Sequence, residues 1–110
     1  MDTIERSANR VDADDLVARA AALKPVLRER QRDTECARRV SDETVADLKA
    51  AELYKVLQPA RYGGYEQDLW TFARCAAEIG AGCGSTGWVY ATAAQHQWQI
   101  GMYDDAAQAE

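Results

Sequence analysis

Residues 80–102 read GAGCGSTGWVYATAAQHQWQIGM, and the fold prediction depends on this stretch. It begins with four glycines in eight residues and then continues, without any Asp, Glu, Lys or Arg, for the length of a helix. It also holds the only histidine of the chain and two of its three tryptophans. Because 28% of the whole chain is charged, an uncharged segment of this length predicts a buried helix.

The polar side chains of this predicted helix share one face. Spacing of i, i+3 and i+4 brings side chains together in a stripe. A polar stripe on a buried helix requires hydrogen-bond partners, a water-filled cleft or a ligand, because unsatisfied buried polar groups are costly. The pattern leaves two interpretations of His96 open, a structural hydrogen bond or a binding role. The stripe consists of Ser85, Trp88, Thr92, His96 and Gln99.

The glycine-rich start, residues 82–87, matches the GxGxxG pattern of dinucleotide-binding sites. That pattern is informative only after a β-strand, whereas the preceding residues 69–79 have helical periodicity. We therefore expect a helix end at Gly80 or Gly82, a short turn, and a new helix capped by Ser85. The free N–H groups at the start of that helix are able to hold an anion.

The composition is that of one all-α domain. The chain has 110 residues, of which 47% are hydrophobic, with one phenylalanine and two prolines. A chain of this length forms about one domain. Runs of Val, Ile, Thr and aromatic residues that would form strands are missing from the sequence, so we predict helices only.

Charge and cysteine content limit the partners and the compartment. The net charge of −5 argues against nucleic acid, which requires a basic face. The sequence has no apolar run of about eighteen residues to span a membrane, and no apolar N-terminal segment to act as a secretory signal. Three cysteines and one histidine, without a CxxC motif, support neither a metal site nor a disulfide framework. We expect a reduced, cytoplasmic protein.

Amphipathic periodicity predicts four helices plus a truncated fifth. A flexible segment of residues 1–11 precedes the first helix, which starts at Asp12 or Asp14. Pro25 falls inside this helix and should kink or restart it, because proline removes one backbone donor. The buried stripe of the first helix consists of Leu16, Val17, Ala20, Ala21, Leu23 and Leu27.

The later helices also begin at good capping residues. Ser41 starts a second helix that ends near Glu52, and Asp68 caps the third. The fourth helix is the 80–102 stretch, and Asp104 caps a fifth that the chain does not finish. The apolar positions expected in the core are Val45, Leu48 and Leu53 around the second helix, and Leu69, Phe72, Ala73, Ala76 and Ile79 in the third.

The segment between the second and third helices contains turn signals. Pro59 prevents a continuous helix, and the pair Gly63–Gly64 marks a turn. Residues 55–58 are interpreted as a short extended piece. Tyr62 and Tyr65, on either side of the glycines, either line a pocket or cover the core, and we expect them to cover the core.

Residues 48–103 resemble a known protein family. The residues that carry the resemblance are QPARYGG at 58–64, CGSTGW at 83–88, and His96 eight residues after Trp88. They resemble the N-terminal helical domain of the acyl-CoA dehydrogenase superfamily. Within it they are most similar to the two-component flavin-dependent aromatic monooxygenases, which include 4-hydroxyphenylacetate and hydroxylated-steroid-ring hydroxylases. The similarity extends over roughly Leu16 to the C-terminus.

The resemblance implies an enzyme of three parts. Residues 12–110 would form the helical N-terminal domain, while the middle β domain and the C-terminal helical bundle are absent. Reduced flavin, FMN or FAD, would lie between the parts and react with oxygen to hydroxylate a phenolic substrate, and a separate flavin reductase would supply it. The family implies contact of His96 with the phenol oxygen and places Trp88 in the same cavity, whose wall Thr92 would help to form. The flavin-binding residues are not identified from this sequence.

Two departures from the family pattern bear on this expectation. Glu52 occupies a position where similar proteins often have glycine at a helix C-terminus, and an acidic residue there opposes the helix dipole. The absent domains would supply most flavin contacts, so we expect this chain alone to hold no flavin tightly and to catalyse nothing. Its uncovered apolar faces should promote a homo-oligomer. Two alternatives stay open: the N-terminal domain of an acyl-CoA dehydrogenase-like oxidoreductase, and a non-catalytic helical interaction fragment.

Overall fold

The computed structural model describes residues 12–109 and consists of five α-helices and two short 3₁₀-helices. The described residues contain no β-strand, so the prediction of an all-α fold with four helices and a fifth is confirmed. The predicted flexible segment, residues 1–11, lies outside the described residues. The helices are α1 Ala13–Ala37, α2 Asp42–Ala50, α3 Leu69–Gly82, α4 Gly84–Ile100 and α5 Asp105–Ala109, and the 3₁₀-helices are Leu53–Lys55 and Ala60–Tyr62.

Four helices begin at a side chain that accepts a hydrogen bond from their first turn. This interaction satisfies one of the N–H groups that have no partner within the helix. Local sequence therefore predicted these starts correctly. The acceptors are Asp12 to the N–H of Asp14 at 3.1 Å, Ser41 to Thr44 at 3.1 Å, Asp68 to Thr71 at 2.8 Å, and Asp104 to Ala107 at 2.9 Å.

The long helix α1 is the central packing surface for α3. Leu16, Ala20 and Leu27 are buried as predicted, whereas Leu23 is only half-buried. The helix runs through Pro25 without restarting. Pro25 is exposed, so the carbonyl that loses its helical partner lies on the side of the helix nearest to water.

The end of α2 has an unusual backbone conformation at Glu52, the position where similar proteins often have glycine. The helix ends at Ala50, two residues before the predicted end, and Glu52 adopts φ 62° and ψ 27°, the left-handed region that favours glycine. Polar contacts stabilise Glu52 there: the Tyr65 hydroxyl donates to its carboxylate at 2.7 Å, and the Lys55 ammonium lies 3.2 Å from it. These contacts lower the pKa of the Glu52 carboxyl, with the Tyr65 hydrogen bond as the main cause.

The prediction of an extended piece at residues 55–58 is wrong. A 3₁₀-helix ends at Lys55, and Val56 has helical φ and ψ angles. The carbonyls of this segment accept hydrogen bonds from the N–H groups of residues 65–67 at 2.8–3.0 Å, which folds the loop back on itself. Gly64 is required there, because a Cβ would lie 2.1 Å from the Gln58 carbonyl oxygen.

Only one of the two loop tyrosines covers the core. Tyr65 is half-buried and packs against the core cluster, as predicted. Tyr62 is 41% exposed and lies under the Arg61 guanidinium, so its predicted role is wrong.

Helix α3 is rotated relative to the predicted stripe. Its buried positions are Thr71, Cys75, Ile79 and Gly82, whereas Leu69 is 50% exposed. The predicted positions Phe72 and Ala76 are half-buried and Ala73 is exposed. Gly82 allows a close approach to α1, because a Cβ there would lie 3.0 Å from the Lys24 carbonyl. The hydroxyl of the buried Thr71 bonds to Asp68 at 2.7 Å.

Helices α3 and α4 meet at a single residue, Cys83, which ends one helix and begins the next. The predicted cap at Ser85 is therefore wrong, because α4 starts two residues earlier than expected. The close contact of two glycines fixes the crossing: a Cβ on Gly87 would lie 2.6 Å from the Gly80 Cα. Helix rather than strand precedes the GxGxxG match, as expected.

The core lies between α1, α3, the first 3₁₀-helix and the inner face of α4. Tyr90 is its largest fully buried side chain, and its hydroxyl donates to the Leu53 carbonyl at 3.0 Å. Burial raises the pKa of the Tyr90 hydroxyl, and it also raises the pKa of the neighbouring Cys75 thiol to about 11. Within residues 12–109, no helix has the length and apolar character needed to cross a membrane.

Candidate functional site

The polar stripe of α4 faces outwards. All five of its side chains are exposed, and at about 100° per residue they span an arc of about 80°. The buried residues of α4, Thr86, Gly87, Tyr90 and Ala94, lie on roughly the opposite side of the helix. The expectation that this helix is buried is therefore wrong for this chain, although the alignment of its polar residues is as predicted.

Trp88 is the most exposed large side chain of the stripe. Its exposed fraction is 75%, while the adjacent Val89 is 41% exposed. An indole with so much free surface offers a flat apolar wall with one hydrogen-bond donor. A single residue of this kind is a common surface feature, so its neighbours decide its meaning.

One of these neighbours is the segment at the end of α1. A groove of about 560 Å³ separates this segment from the start of α4, and we call it the α1–α4 groove. Sequence analysis missed the α1 side, because its charged residues gave only the pattern of a solvated face. The groove is lined by Thr34, Glu35, Arg38 and Arg39 on the α1 side and by Ser85 and Trp88 on the α4 side.

His96 lies two turns beyond Trp88, about 12 Å further along the helix axis. Its Nδ1 atom is 2.6 Å from the Thr92 carbonyl oxygen. A carbonyl only accepts hydrogen bonds, so Nδ1 carries the proton in this arrangement. In neutral imidazole, Nε2 then has the free lone pair and acts as the hydrogen-bond acceptor.

The structure brings Trp88, Thr92 and His96 onto one exposed face, but the α1–α4 groove includes only Trp88 of the three. Within the described residues, Thr92 and His96 therefore lie on an open helix face. No group of three or more His, Cys, Asp and Glu side chains among residues 12–109 is arranged to hold a metal ion.

Comparison with known proteins gives the family and several similar proteins. The model of the acyl-CoA dehydrogenase N-terminal domain matches residues 7–110. The flavin-dependent monooxygenase oxygenase subunit HsaA of Rhodococcus jostii is 38% identical over 82% of this chain and 24% of its own length. The FADH(2)-dependent resorcinol hydroxylase oxygenase component of a Rhizobium species is 34% identical over 86% of this chain and 23% of its own length.

A solved structure shows the same fold. The crystal structure of the HsaA monooxygenase from M. tuberculosis superposes with a TM-score of 0.85 at 36% identity, over 89% of this chain and 26% of that chain. The chain thus spans about a quarter of the length of the relatives that it matches.

Proposed function

Because the chain belongs to the acyl-CoA dehydrogenase N-terminal domain family, we propose that it is the substrate-side domain of a flavin-dependent monooxygenase. The complete enzyme would hydroxylate a phenolic or other aromatic substrate with reduced flavin and O₂. The observation that carries this proposal is that the similar proteins are oxygenase components, by sequence and by fold. The middle β domain and the C-terminal helical bundle of such an enzyme would lie outside these 110 residues.

We assign the substrate wall to the outward face of α4. Trp88 supplies an apolar surface for an aromatic ring, because its indole is 75% exposed. Thr92 and His96 follow on the same face. They add polar groups at the positions that would lie nearest to the hydroxyl of the bound phenol. A structural role would bury these side chains against the chain itself, whereas all three are exposed.

His96 acts on the phenol through Nε2. The Thr92 carbonyl holds the Nδ1 proton at 2.6 Å, so Nε2 accepts a hydrogen bond from the phenol O–H. As the O–H proton of the phenol moves towards Nε2, the bound phenol gains phenolate character. The extra negative charge spreads onto the ring carbons beside the hydroxyl, which makes them better nucleophiles towards an oxygen electrophile.

The exposed face of α4 fits one wall of a cavity shared with flavin, because it offers a planar indole and hydroxyl groups. The described chain leaves the space in front of this wall open. When bound, reduced flavin, FMN or FAD, activates O₂ and supplies the two electrons that convert the second oxygen atom to water. The residues of this chain bind the ring and hold its proton. We propose that the isolated chain binds no flavin tightly, because it forms only one wall.

The proposed partners follow from the two-component names of the relatives. A subunit called an oxygenase component implies a separate flavin reductase. We further propose a homo-oligomer, because apolar side chains remain uncovered on α3 and α4.

We also propose a cytoplasmic location, because the three cysteines are free, as is usual in a reducing compartment.

A domain exchange tests the proposed function. This chain would replace the matching N-terminal quarter of the Rhodococcus jostii oxygenase subunit, and hydroxylated product would be measured with a flavin reductase and O₂. The proposal predicts a phenol-dependent product above that of the truncated subunit without any N-terminal domain. A folded chimera that consumes reduced flavin but forms no hydroxylated product from any of a panel of phenols would contradict it.

The family name favours one alternative, an acyl-CoA dehydrogenase-like oxidation. That reaction removes hydrogen from an acyl thioester and needs neither O₂ nor a phenol. Electron transfer from acyl-CoA to an artificial dye, measured with the chain in its complete natural protein, separates the two. The proposal predicts no such transfer.

A further inference from the structure

The start of α4 borders the α1–α4 groove with uncapped backbone N–H groups. Cys83 precedes the helix and makes no side-chain hydrogen bond to its first turn. The N–H of Gly87 is the first to bond to a carbonyl of this segment, that of Cys83 at 2.9 Å. The N–H groups of residues 84–86 therefore have no carbonyl partner within the helix. A 17-residue helix concentrates partial positive charge at this end.

A largely buried threonine lies on the other side of the same groove. Thr34 lines the groove and is only 6% exposed. Within residues 12–109 its side chain has no hydrogen-bond partner. The hydroxyl itself is reached by solvent, so it is able to bond to a ligand atom in the groove.

The charges around the groove leave one arginine available. Arg39 is 2.8 Å from the Asp42 carboxylate, and the Glu35 carboxylate accepts a hydrogen bond from the Gln31 amide at 3.3 Å. The guanidinium of Arg38 makes no ion pair or side-chain hydrogen bond with the described residues. A free guanidinium beside helix N–H groups is suited to an oxyanion.

We propose that the α1–α4 groove binds the oxyanion of an organic ligand, a phosphate or a carboxylate. The oxyanion would lie between the Arg38 guanidinium, the Thr34 hydroxyl and the N–H groups at the start of α4. Trp88, next to these groups and 75% exposed, would stack on a planar part of the same ligand.

The distance to His96 restricts the source of the oxyanion. Ser85 and His96 are about 16 Å apart along the axis of α4. A single-ring phenol at His96 is too short to place its own carboxylate in the groove. The oxyanion therefore belongs to the phosphate of flavin or to a substrate much longer than one ring. The anion site itself goes beyond the proposed function, because anion binding requires no turnover, whereas the choice between these two sources rests on the proposed function.

Inorganic phosphate is the first probe. The 110-residue chain would be titrated with phosphate at constant ionic strength maintained with sodium chloride, while backbone and side-chain NH shifts are followed by NMR. The proposal predicts saturable shifts at residues 84–86, at the Arg38 guanidinium and at the Trp88 indole. Shifts spread evenly over the arginines of α1, without saturation at the start of α4, would overturn it.

Substitutions separate the groove from general charge. Arg38→Met should weaken phosphate binding about tenfold, the usual scale of a hydrogen bond to a charged group. Arg32→Met is the matched control, because Arg32 is exposed on α1 outside the groove and should leave affinity unchanged. Thr34→Val should weaken binding about threefold, with recovery in Thr34→Ser. Equal losses for Arg38→Met and Arg32→Met would contradict the site.

Competition identifies the source. If the site holds the flavin phosphate, FMN displaces inorganic phosphate and riboflavin does not. If it holds a long substrate, an extended aromatic carboxylate displaces phosphate better than its neutral amide, while FMN and riboflavin behave alike. If neither organic anion displaces phosphate, the assignment to an organic ligand is wrong.

Discussion

The Nδ1 atom of His96 lies 2.6 Å from the carbonyl oxygen of Thr92, one helical turn earlier on α4. Both partners belong to the same helix, so α4 alone determines this contact. It fixes the position of the proton on the imidazole and leaves Nε2 as the acceptor. The proposed site therefore keeps its acid–base orientation even though the chain forms only one of its walls.

The contact of Gly80 with Gly87 predicts opposite effects of alanine at two touching positions. Gly87→Ala should lower the free energy of unfolding by at least about 1 kcal/mol, because its Cβ would lie 2.6 Å from backbone and overpacking has this cost. Gly80→Ala is the matched control. Its Cβ would meet nothing within 4 Å, so the better helix propensity of alanine should raise stability by roughly 0.5–1 kcal/mol.

Urea unfolding followed by circular dichroism measures both variants. Equal effects of the two substitutions would show that α3 and α4 do not cross at these glycines. Because Trp88 follows Gly87 directly, the same variant should also change the fluorescence of its indole.

Glu52 predicts a specific dependence of stability on pH. Its pKa is lowered in the folded chain, mainly by the Tyr65 hydroxyl and then by Lys55. The unfolded chain therefore takes up this proton at higher pH than the folded chain. The stabilising contribution is present above the ordinary value of 4.5 and is lost as pH falls through the lowered pKa.

The variant Glu52→Gln isolates this contribution. It should reduce the urea midpoint at pH 7, and the difference from the unaltered chain should shrink as the pH is lowered below 4. Glu29→Gln, at an exposed position on α1, is the control and should show no such convergence. A constant difference for Glu52→Gln at all pH values would mean that the carboxylate charge is not involved.

The uncovered apolar side chains predict self-association. Sedimentation velocity should show a coefficient that rises with protein concentration, because contiguous apolar patches promote association. The double variant Trp70→Lys with Met102→Lys should shift the distribution towards monomer. A compact monomer at high concentration would argue against a missing partner surface. The largest exposed fractions belong to Leu69 50%, Trp70 70%, Trp88 75%, Met102 68% and Tyr103 51%.

Sequence predicted the features that depend on neighbouring residues. Asp12, Ser41, Asp68 and Asp104 cap helices as expected, because a cap needs only its own side chain and the next turn. The alignment of the α4 stripe follows from helical geometry in the same way. The unusual position of Glu52 was suggested by the family resemblance, because similar proteins often have glycine there.

Burial was predicted less well, because it depends on what covers a face. The apolar composition of α4 suggested a buried helix, yet composition does not say whether this chain or another domain provides the cover. In α3, the large Leu69 and Phe72 suggested the inner stripe, whereas the small Gly82 allows the approach to α1 and Thr71 is buried with its hydroxyl bonded to Asp68. The α1 side of the groove, with Thr34 and Arg38, required the tertiary structure.

The central claim is that His96 activates the phenol, and the product-to-peroxide ratio tests it most directly. In the chimeric oxygenase, His96→Ala should lower hydroxylation on the order of 10²-fold, the scale of one general acid–base group. Consumption of reduced flavin should continue and release hydrogen peroxide, because activation of O₂ depends on the flavin. Gln99→Ala, on the same exposed face, is the control and should keep the original ratio. If His96→Ala lowers product and peroxide equally and leaves their ratio unchanged, His96 has a structural role and the assignment is wrong.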